Sequence, residues 1–367
     1  MLYLLLFPLR QHSIFFNVFR YITVRTALAG ITALLLSLII GPWLIRMLKR
    51  NQIGQEIRAE GPQSHLVKKG TPTMGGLLII ACTIVPTLIW GNFANVYIWL
   101  AMGAMTLFGF IGLVDDTVKI RRKRSLGLTS RQKLVLQIIL AAAIGLVLVG
   151  LGFAKQFSLD ISFPFVKSWT AYLGWFYLPW IAFILVGSTN AVNLADGLDG
   201  LAIGLTFFSA TALTALTYIV GNVKWSSYLG ITYVFPAAEL TVFMGALAGA
   251  CLGFLWFNCH PAQVFMGDVG AFSLGGTLGL VAILIKQEFL LFFVAGVFIL
   301  EALSVLIQVS WFKVSGGKRV FRIAPLHHHF EVVGWEEITI VVRFWIVAGI
   351  CVLAGLSLFY GEWVVTL

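Results

Sequence analysis

Charged residues are scarce in this chain. Asp, Glu, Lys and Arg together make up 11% of its 367 residues, whereas an average soluble domain has roughly 25%. Apolar residues make up 59%, which excludes an ordinary soluble protein and leaves little sequence for a domain outside a membrane. Helices satisfy their own backbone groups in hydrocarbon. The composition therefore predicts an integral membrane protein with one helical bundle.

Cysteine pairs and a cleavable leader are also lacking. The four cysteines include no C-x-x-C pair and three lie inside apolar runs, so we predict no disulfide and no zinc site. The first twenty residues have neither a positive start nor a small-residue cleavage site, as a secretory signal would. We interpret residues 1–23 as an interfacial segment before the first span.

The chain contains many long apolar runs. A helix needs about 20 apolar residues to cross a bilayer, and we place ten spans near 24–46, 73–90, 96–114, 134–153, 172–189, 200–220, 238–257, 269–285, 289–311 and 341–360. The predicted fold is all-α: a polytopic membrane protein of one domain, 1–367, whose ten-helix bundle covers 24–360.

Basic residues are divided unequally between the two faces of this bundle. Eighteen of the 25 Lys and Arg residues lie in the loops of one face. The positive-inside rule makes that face cytoplasmic and places both termini on the outer side of the membrane. Most of these cations are expected to bind anionic membrane lipid, and we expect no nucleic-acid partner.

Five of the six aspartates lie at ends of apolar runs on that same face. They are Asp115, Asp116, Asp196, Asp199 and Asp268, whereas Asp160 falls in a loop of the other face. Carboxylates next to hydrocarbon are costly and mark a functional site. Chemistry collected on one face favours an enzyme with a soluble cytoplasmic substrate, because a transporter places its site near the midplane.

The adjacent pair Asp115 and Asp116 requires a cation, because neighbouring carboxylates repel. Mg²⁺ commonly joins one or two carboxylates to substrate phosphates. The alternative is a pair of solvated acids that end a helix. Lys119, one turn later, and Lys133, where the fourth span begins, are the cations best placed to face a phosphate.

Two further motifs supply polar groups on this face. In Asn190–Gly200, the side chains of Asn193, Asp196 and Asp199 alternate with glycines that let a ligand approach; a tight loop with capping aspartates is the simpler reading. In Phe257–Gly270, Asp268 could cap a helix. Its companions Asn258 and Phe265 instead favour recognition of a planar base.

Two weaker motifs complete the set. His327, His328 and His329 follow Pro325 in the loop before the last span, where we favour phosphate binding or organisation of the site over zinc. Before the second span, Thr73 and lysines that include Lys68 could contact a diphosphate; a capped helix start explains the same residues.

These motifs resemble those of the phospho-N-acetylmuramoyl-pentapeptide transferase family, a branch of the polyprenyl-phosphate N-acetylhexosamine-1-phosphate transferases. The matching segments are Thr71–Gly76, Asp115-Asp116, Asn190–Gly200, Phe254–Asn258, Pro261–Gly270 and Pro325–His329. Two departures are Ala195, where the family usually has Thr, and His260, where an aromatic residue is more common. Neither departure replaces an acid.

The resemblance implies ten transmembrane helices, a homodimer and Mg²⁺-dependent transfer of phospho-MurNAc-pentapeptide from UDP-MurNAc-pentapeptide to undecaprenyl phosphate. The products are lipid I and UMP. The resemblance also implies that Asp268 is a metal ligand, that Asp115 and Asp116 act on phosphate or metal, and that Asp199 and Phe265 hold uracil. Our predicted catalytic residues are Asp115, Asp116, Asp268 and His328, the first three also as metal ligands, and our predicted substrate-binding residues are Lys68, Thr73, Lys119, Lys133, Asn193, Asp196, Gly197, Asp199, Asn258, Phe265, His327 and His329.

Two other functions compete with this one. A polyprenyl-phosphate GlcNAc-1-phosphate transferase would share most motifs, although the Pro-Leu-His-His-His segment favours the muramoyl branch. A nucleotide-sugar or lipid transporter belongs to another class, and it predicts uptake into vesicles without release of UMP.

Overall fold

The chain is largely helical in a computed structural model that describes residues 7–11, 14–50, 70–122, 127–163 and 166–361. Two short 3-10 segments, Phe7–Gln11 and Ile14–Arg20, come before the first long helix. The α-helices are α1 Ile22–Arg50, α2 Gly76–Trp90, α3 Val96–Arg122, α4 Ser130–Phe153, α5 Tyr177–Ala195, α6 Leu201–Val220, α7 Val223–Tyr228, α8 Ala237–Asn258, α9 Gly267–Leu284, α10 Glu288–Val294, α11 Gly296–Val314, α12 Leu326–Val333 and α13 Glu337–Gly361.

Nine helices within the described ranges are long and apolar enough to cross a membrane, and α2 is apolar but has only 15 residues. This confirms a polytopic, predominantly α-helical membrane protein. The number of ten crossings, the single domain and the identity of the cytoplasmic face stay predictions.

Three local predictions were wrong. The span predicted near 289–311 is two helices, because Ala295 has φ −103° and ψ 27° and interrupts the helix between α10 and α11. The histidine run lies in α12 rather than in a loop. Asp160 begins a strand, β1 Asp160–Phe163, rather than lying in an irregular loop; β1 pairs antiparallel with β2 Val166–Tyr172 in a short hairpin of a predominantly α-helical chain.

Helices α8 and α9 form the centre of the bundle, since 78% and 89% of the residues in their apolar 18-residue stretches are buried. Helix α9 approaches its neighbours closely through glycines. A Cβ on Gly76 of α2 would lie 2.2 Å from the backbone nitrogen of Gly270, and one on Gly112 of α3 would lie 2.2 Å from the carbonyl oxygen of Asp268. These contacts bring the start of α9 against the end of α3.

The two ends of the bundle differ in character. At the end where α1 and α8 begin, the buried Arg25 guanidinium donates to both carboxylate oxygens of Glu239, at 2.7 and 2.8 Å. A cavity of about 450 Å³ at this end is lined by Tyr97, Asp160 and Lys286 among others, and by none of the predicted site residues. The predicted site residues that the structure describes lie at the other end, which we call the aspartate end.

Candidate active site

Three carboxylates meet at the aspartate end. Asp115 and Asp116 lie in the last turns of α3 and are almost fully buried, and Asp268 lies in the first turn of α9. One oxygen of each lies within 4.8 Å of the others. The structure thus brings together residues that are more than 150 positions apart in the sequence.

Two lysines neutralise this cluster. The Lys119 ammonium lies 2.8 Å from Asp115 Oδ2, 3.1 Å from Asp116 Oδ1 and 3.0 Å from Asp268 Oδ2. The Lys133 ammonium lies 2.8 Å from Asp115 Oδ2 and 2.6 Å from Asp268 Oδ2. Both lysines identified in the sequence therefore face inward, and one positive charge comes from each of α3 and α4.

Backbone and amide groups hold the carboxylates in place. The Leu128 backbone N–H donates to Asp115 Oδ1 at 2.6 Å, and the Val269 N–H donates to Asp116 Oδ2 at 3.3 Å. The Asn193 amide donates to Asp268 Oδ1 at 2.9 Å. Thr129 caps α4 in a capping box with Gln132, which fixes the helix start that carries Lys133.

The donor set fits a divalent cation. All three groups are hard oxygen donors of the kind that Mg²⁺ prefers. Asp115 Oδ2 is buried and lies 2.8 Å from both ammonium groups. One carboxylate oxygen from each of the three aspartates lies within reach of a single ion, so the residues present are suited to a metal.

The loop from Asn193 to Gly200 runs beside the cluster. Burial, followed by the negative charges of Asp268 and Asp116, raises the pKa of Asp196 to about 8. Gly197 lies against the ring of His327 on α12, and a Cβ on this glycine would be 2.2 Å from His327 Nε2. The loop is therefore held between the carboxylates and the histidine helix.

Asp196 gives the metal-free protein a pH-dependent stability. The folded protein keeps a proton on Asp196 up to about pH 8, whereas the unfolded chain releases it near pH 4. This contribution to the free energy of unfolding is present at low pH and is lost as the pH rises toward 8. We expect the Tm, measured with a chelator in detergent between pH 5 and 8.5, to fall more steeply for wild type than for Asp196→Asn. Parallel curves would contradict the raised pKa of Asp196.

Gly197→Ala tests the contact between this loop and His327. Because the added Cβ and the buried ring cannot both keep their positions, we expect kcat/KM for the reaction at this site to fall about 100-fold, as for a site displaced by about 1 Å. Gly187→Ala is the matched control, since a Cβ at Gly187, on the preceding helix α5, meets nothing within 4 Å. Equal activity of the two variants would show that the contact is unimportant.

His327 is completely buried, so its ring does not line an open surface. Its Nδ1 lies 3.2 Å from Glu301 Oε2, and its backbone N–H donates to Glu301 Oε1 at 3.2 Å. Both residues are 0% exposed. Sequence reasoning missed Glu301, although an acid inside an apolar span was a usable signal.

The other two histidines have partners near their own helix, and Thr73 lies close to the start of α9. His328 Nδ1 lies 2.5 Å from Glu331 Oε2, and His329 Nδ1 accepts from the Arg322 backbone N–H at 3.1 Å. Thr73 is buried, and a Cβ on Gly267 would lie 2.8 Å from its hydroxyl oxygen. Lys68 lies outside the described residues.

Of the residues predicted to contact a base, Asn258 bonds to the Asn193–Gly200 loop and Phe265 pairs with the segment before α2. Half-buried Phe265 pairs through its backbone with Pro72 and Gly75. The buried Asn258 amide accepts from the Gly200 N–H at 3.1 Å and donates to the Val264 carbonyl at 2.9 Å, so it joins two loops.

Asp199 has partners that the sequence did not indicate. It is 4% exposed, and its Oδ2 lies 3.1 Å from His260 Nδ1 and accepts from the Ala262 N–H at 3.1 Å. Its own N–H donates to Glu337 of α13 at 2.9 Å.

Comparison with known proteins agrees with this geometry. Residues 98–286 match glycosyl transferase family 4, and residues 68–80 match signature 1 of phospho-N-acetylmuramoyl-pentapeptide-transferase. Proteins with that name are similar over nearly their full length: one from Citrifermentans bemidjiense at 51% identity over 97% of this chain and 99% of the relative, one from Desulfotalea psychrophila at 51% over 98% and 100%, and one from Koribacter versatilis at 50% over 93% and 94%. With these matches and a buried aspartate–lysine cluster at one end of a membrane bundle, the chain belongs to the phospho-N-acetylmuramoyl-pentapeptide transferase family.

Proposed function

We propose that this protein transfers phospho-MurNAc-pentapeptide from UDP-MurNAc-pentapeptide to a polyprenyl phosphate, which we take to be undecaprenyl phosphate. The products are lipid I and UMP, and the reaction is a membrane step of peptidoglycan synthesis. The observation that carries the proposal is the cluster of Asp115, Asp116, Asp268, Lys119 and Lys133, in a chain about 50% identical to transferases of that name.

The reaction breaks one phosphoanhydride and forms another, so it is nearly isoenergetic and catalysis consists of positioning and charge neutralisation. A Mg²⁺ ion held by Asp115, Asp116 and Asp268 would neutralise phosphate charge as a Lewis acid. Lys119 and Lys133 lie where they can contact the same phosphates from α3 and α4. Asn193 orients Asp268 through its amide.

The nucleotide is proposed to lie along the Asn193–Gly200 loop. Its uracil would be held by Phe265 and Asp199, and its phosphates would extend toward the carboxylates past Thr73, Lys68, Asp196 and Gly197. The proposal is supported by the short path from Phe265 to the cluster, since Gly267 and Asp268 follow it directly. His327, His329 and Asn258 position these segments, and His328, which is only half-buried, is proposed to meet a phosphate.

Attack by the lipid phosphate on the donor is proposed to be direct. Asp115 would orient or deprotonate the attacking phosphate, because the Leu128 N–H and the two lysines fix its carboxylate. The alternative is a covalent intermediate on an aspartate. We favour direct attack, in which Asp115 contacts the attacking phosphate and forms no bond to phosphorus.

The membrane setting completes the proposal. We propose a single domain with ten crossings, with the aspartate end at the cytoplasmic face of a bacterial inner membrane and both termini periplasmic. The active unit is proposed to be a homodimer. The excess of cations in the loops of that end supports this orientation.

Release of UMP tests the function. Purified protein mixed with UDP-MurNAc-pentapeptide, undecaprenyl phosphate and Mg²⁺ should release UMP and form lipid I, and omission of any component should abolish both. Turnover of UDP-GlcNAc in place of the muramoyl donor would favour the GlcNAc-1-phosphate branch. Uptake of the intact nucleotide sugar into vesicles, without UMP, would show a transporter.

A further inference from the structure

A second group of potential metal ligands lies at the aspartate end, outside the three-carboxylate cluster. It consists of Asp199 from the loop between α5 and α6, His260 from the loop between α8 and α9, and Glu337 from the first turn of α13. One ligand atom from each lies within 4.8 Å of the other two. The group therefore joins three segments that are distant in the sequence.

The spacing of these atoms matches a small coordination sphere. His260 Nδ1 lies 3.1 Å from Asp199 Oδ2 and 3.5 Å from Glu337 Oε2. Two ligands at about 2.1 Å from a tetrahedral Zn²⁺ ion are themselves about 3.4 Å apart. A neutral imidazole can donate its Nδ1 proton to one of two carboxylates only, whereas a metal at this position would engage both.

The backbone holds the carboxylates in orientation. Asp199 Oδ2 accepts from the Ala262 N–H at 3.1 Å, and Glu337 Oε1 accepts from the Asp199 N–H at 2.9 Å. Outer hydrogen bonds of this kind fix ligand direction at metal sites. The His260 side chain is 36% exposed, so an ion and its remaining water ligand can enter from solvent.

We propose that Asp199, His260 and Glu337 form a second metal site, selective for a transition-metal ion of the Zn²⁺ type. An imidazole nitrogen with two carboxylates suits Zn²⁺, whereas Mg²⁺ prefers oxygen ligands alone. The two sites of the aspartate end thus differ in their ligand atoms. Asp115, Asp116 and Asp268 offer only oxygen donors, whereas the second site includes the imidazole nitrogen of His260. The imidazole therefore decides which ion the second site takes.

Occupation of this site has a consequence that rests on the proposed function. Asp199 is proposed to contact uracil, so a metal bound to its carboxylate would compete with the nucleotide. Zn²⁺ should then act as an inhibitor that raises KM for the UDP-linked donor.

Zinc binding can be measured on the purified full chain in detergent, with excess Mg²⁺ present to occupy the oxygen-only cluster. Titration against a chromogenic chelator should show that the wild-type protein binds one Zn²⁺ ion. The His260→Gln and Glu337→Gln variants should bind this ion at least about 100-fold more weakly. Zn²⁺ should also protect wild-type His260 from diethyl pyrocarbonate, read by mass spectrometry. Equal zinc affinity in the three proteins, or no protection of His260, would overturn the site.

Two controls separate the possible causes. Cys259 is exposed and adjacent to His260, so Cys259→Ala must keep the zinc site if the imidazole rather than the thiol is the ligand. Thermal unfolding without zinc checks that each variant folds.

The predicted inhibition has its own measurement. The ratio of KM for the UDP-linked donor with and without Zn²⁺ should rise at least tenfold in wild type and stay near one in His260→Gln. Zinc binding without this change would leave the metal site standing and would contradict the placement of uracil at Asp199.

Discussion

Asp268→Asn should reduce kcat for lipid I formation at least about 1,000-fold, equivalent to about 4 kcal/mol of transition-state stabilisation. Asp268 Oδ2 contacts the ammonium groups of both Lys119 and Lys133, and Oδ1 accepts from Asn193. The substitution removes the charge that these lysines face and one of the three metal ligands. The measurement is UMP release at saturating substrates and Mg²⁺.

The protein should still fold after this change, because Asn has the same shape and relieves repulsion among three carboxylates. An unchanged Tm in detergent is the check. Asp160→Asn is the matched control, since Asp160 lies at the opposite end and bonds to Ser158; it should keep wild-type activity. Near-normal lipid I formation by Asp268→Asn would rule out a metal role for this residue.

Asp115→Asn should have a loss of similar size, about 1,000-fold in kcat, for a different reason. The amide oxygen of the variant would still accept from the Leu128 N–H, but a neutral side chain could not balance the two ammonium groups that lie 2.8 Å from Asp115 Oδ2. The loss should appear in kcat more than in KM, because the residue is proposed to act on the attacking phosphate. A rise in KM alone would place Asp115 in donor binding.

The same variant separates direct attack from a covalent route. Wild-type protein incubated with radiolabelled UDP-MurNAc-pentapeptide and Mg²⁺, without lipid, should retain no label after denaturation. Label that stays on wild type and disappears in Asp115→Asn would establish a covalent intermediate.

The sequence predicted the membrane class and the main cluster well, because both depend on strong local signals. Apolar runs set the helices, and Asp115, Asp116 and Asp268 stand out since acids are rare at the ends of such runs. Lys119 and Lys133 could also be selected, because their helical positions one turn after the aspartates and at the start of α4 fix their direction.

The remaining features depend on contacts between distant segments. The break at Ala295 lies inside an apolar run without proline, so hydropathy alone could not reveal it. His260 and Glu337 meet only when the loops after α8 and before α13 pack together. Burial of His327 against Glu301 likewise needs α11 and α12 in place, whereas the histidine run by itself favoured only phosphate binding or organisation of the site.

Helix α2 has one further consequence for the lipid substrate. Its 15 residues span about 22 Å, which is less than the roughly 30 Å of bilayer hydrocarbon. A crossing helix of this length would thin the bilayer around it, and Gly76, where α2 begins, packs directly on Gly270 near Asp268. Local thinning beside this helix would bring the lipid headgroups closer to the carboxylates. The phosphate of a polyprenyl lipid could then reach the site while its isoprenoid tail remains in the hydrocarbon core.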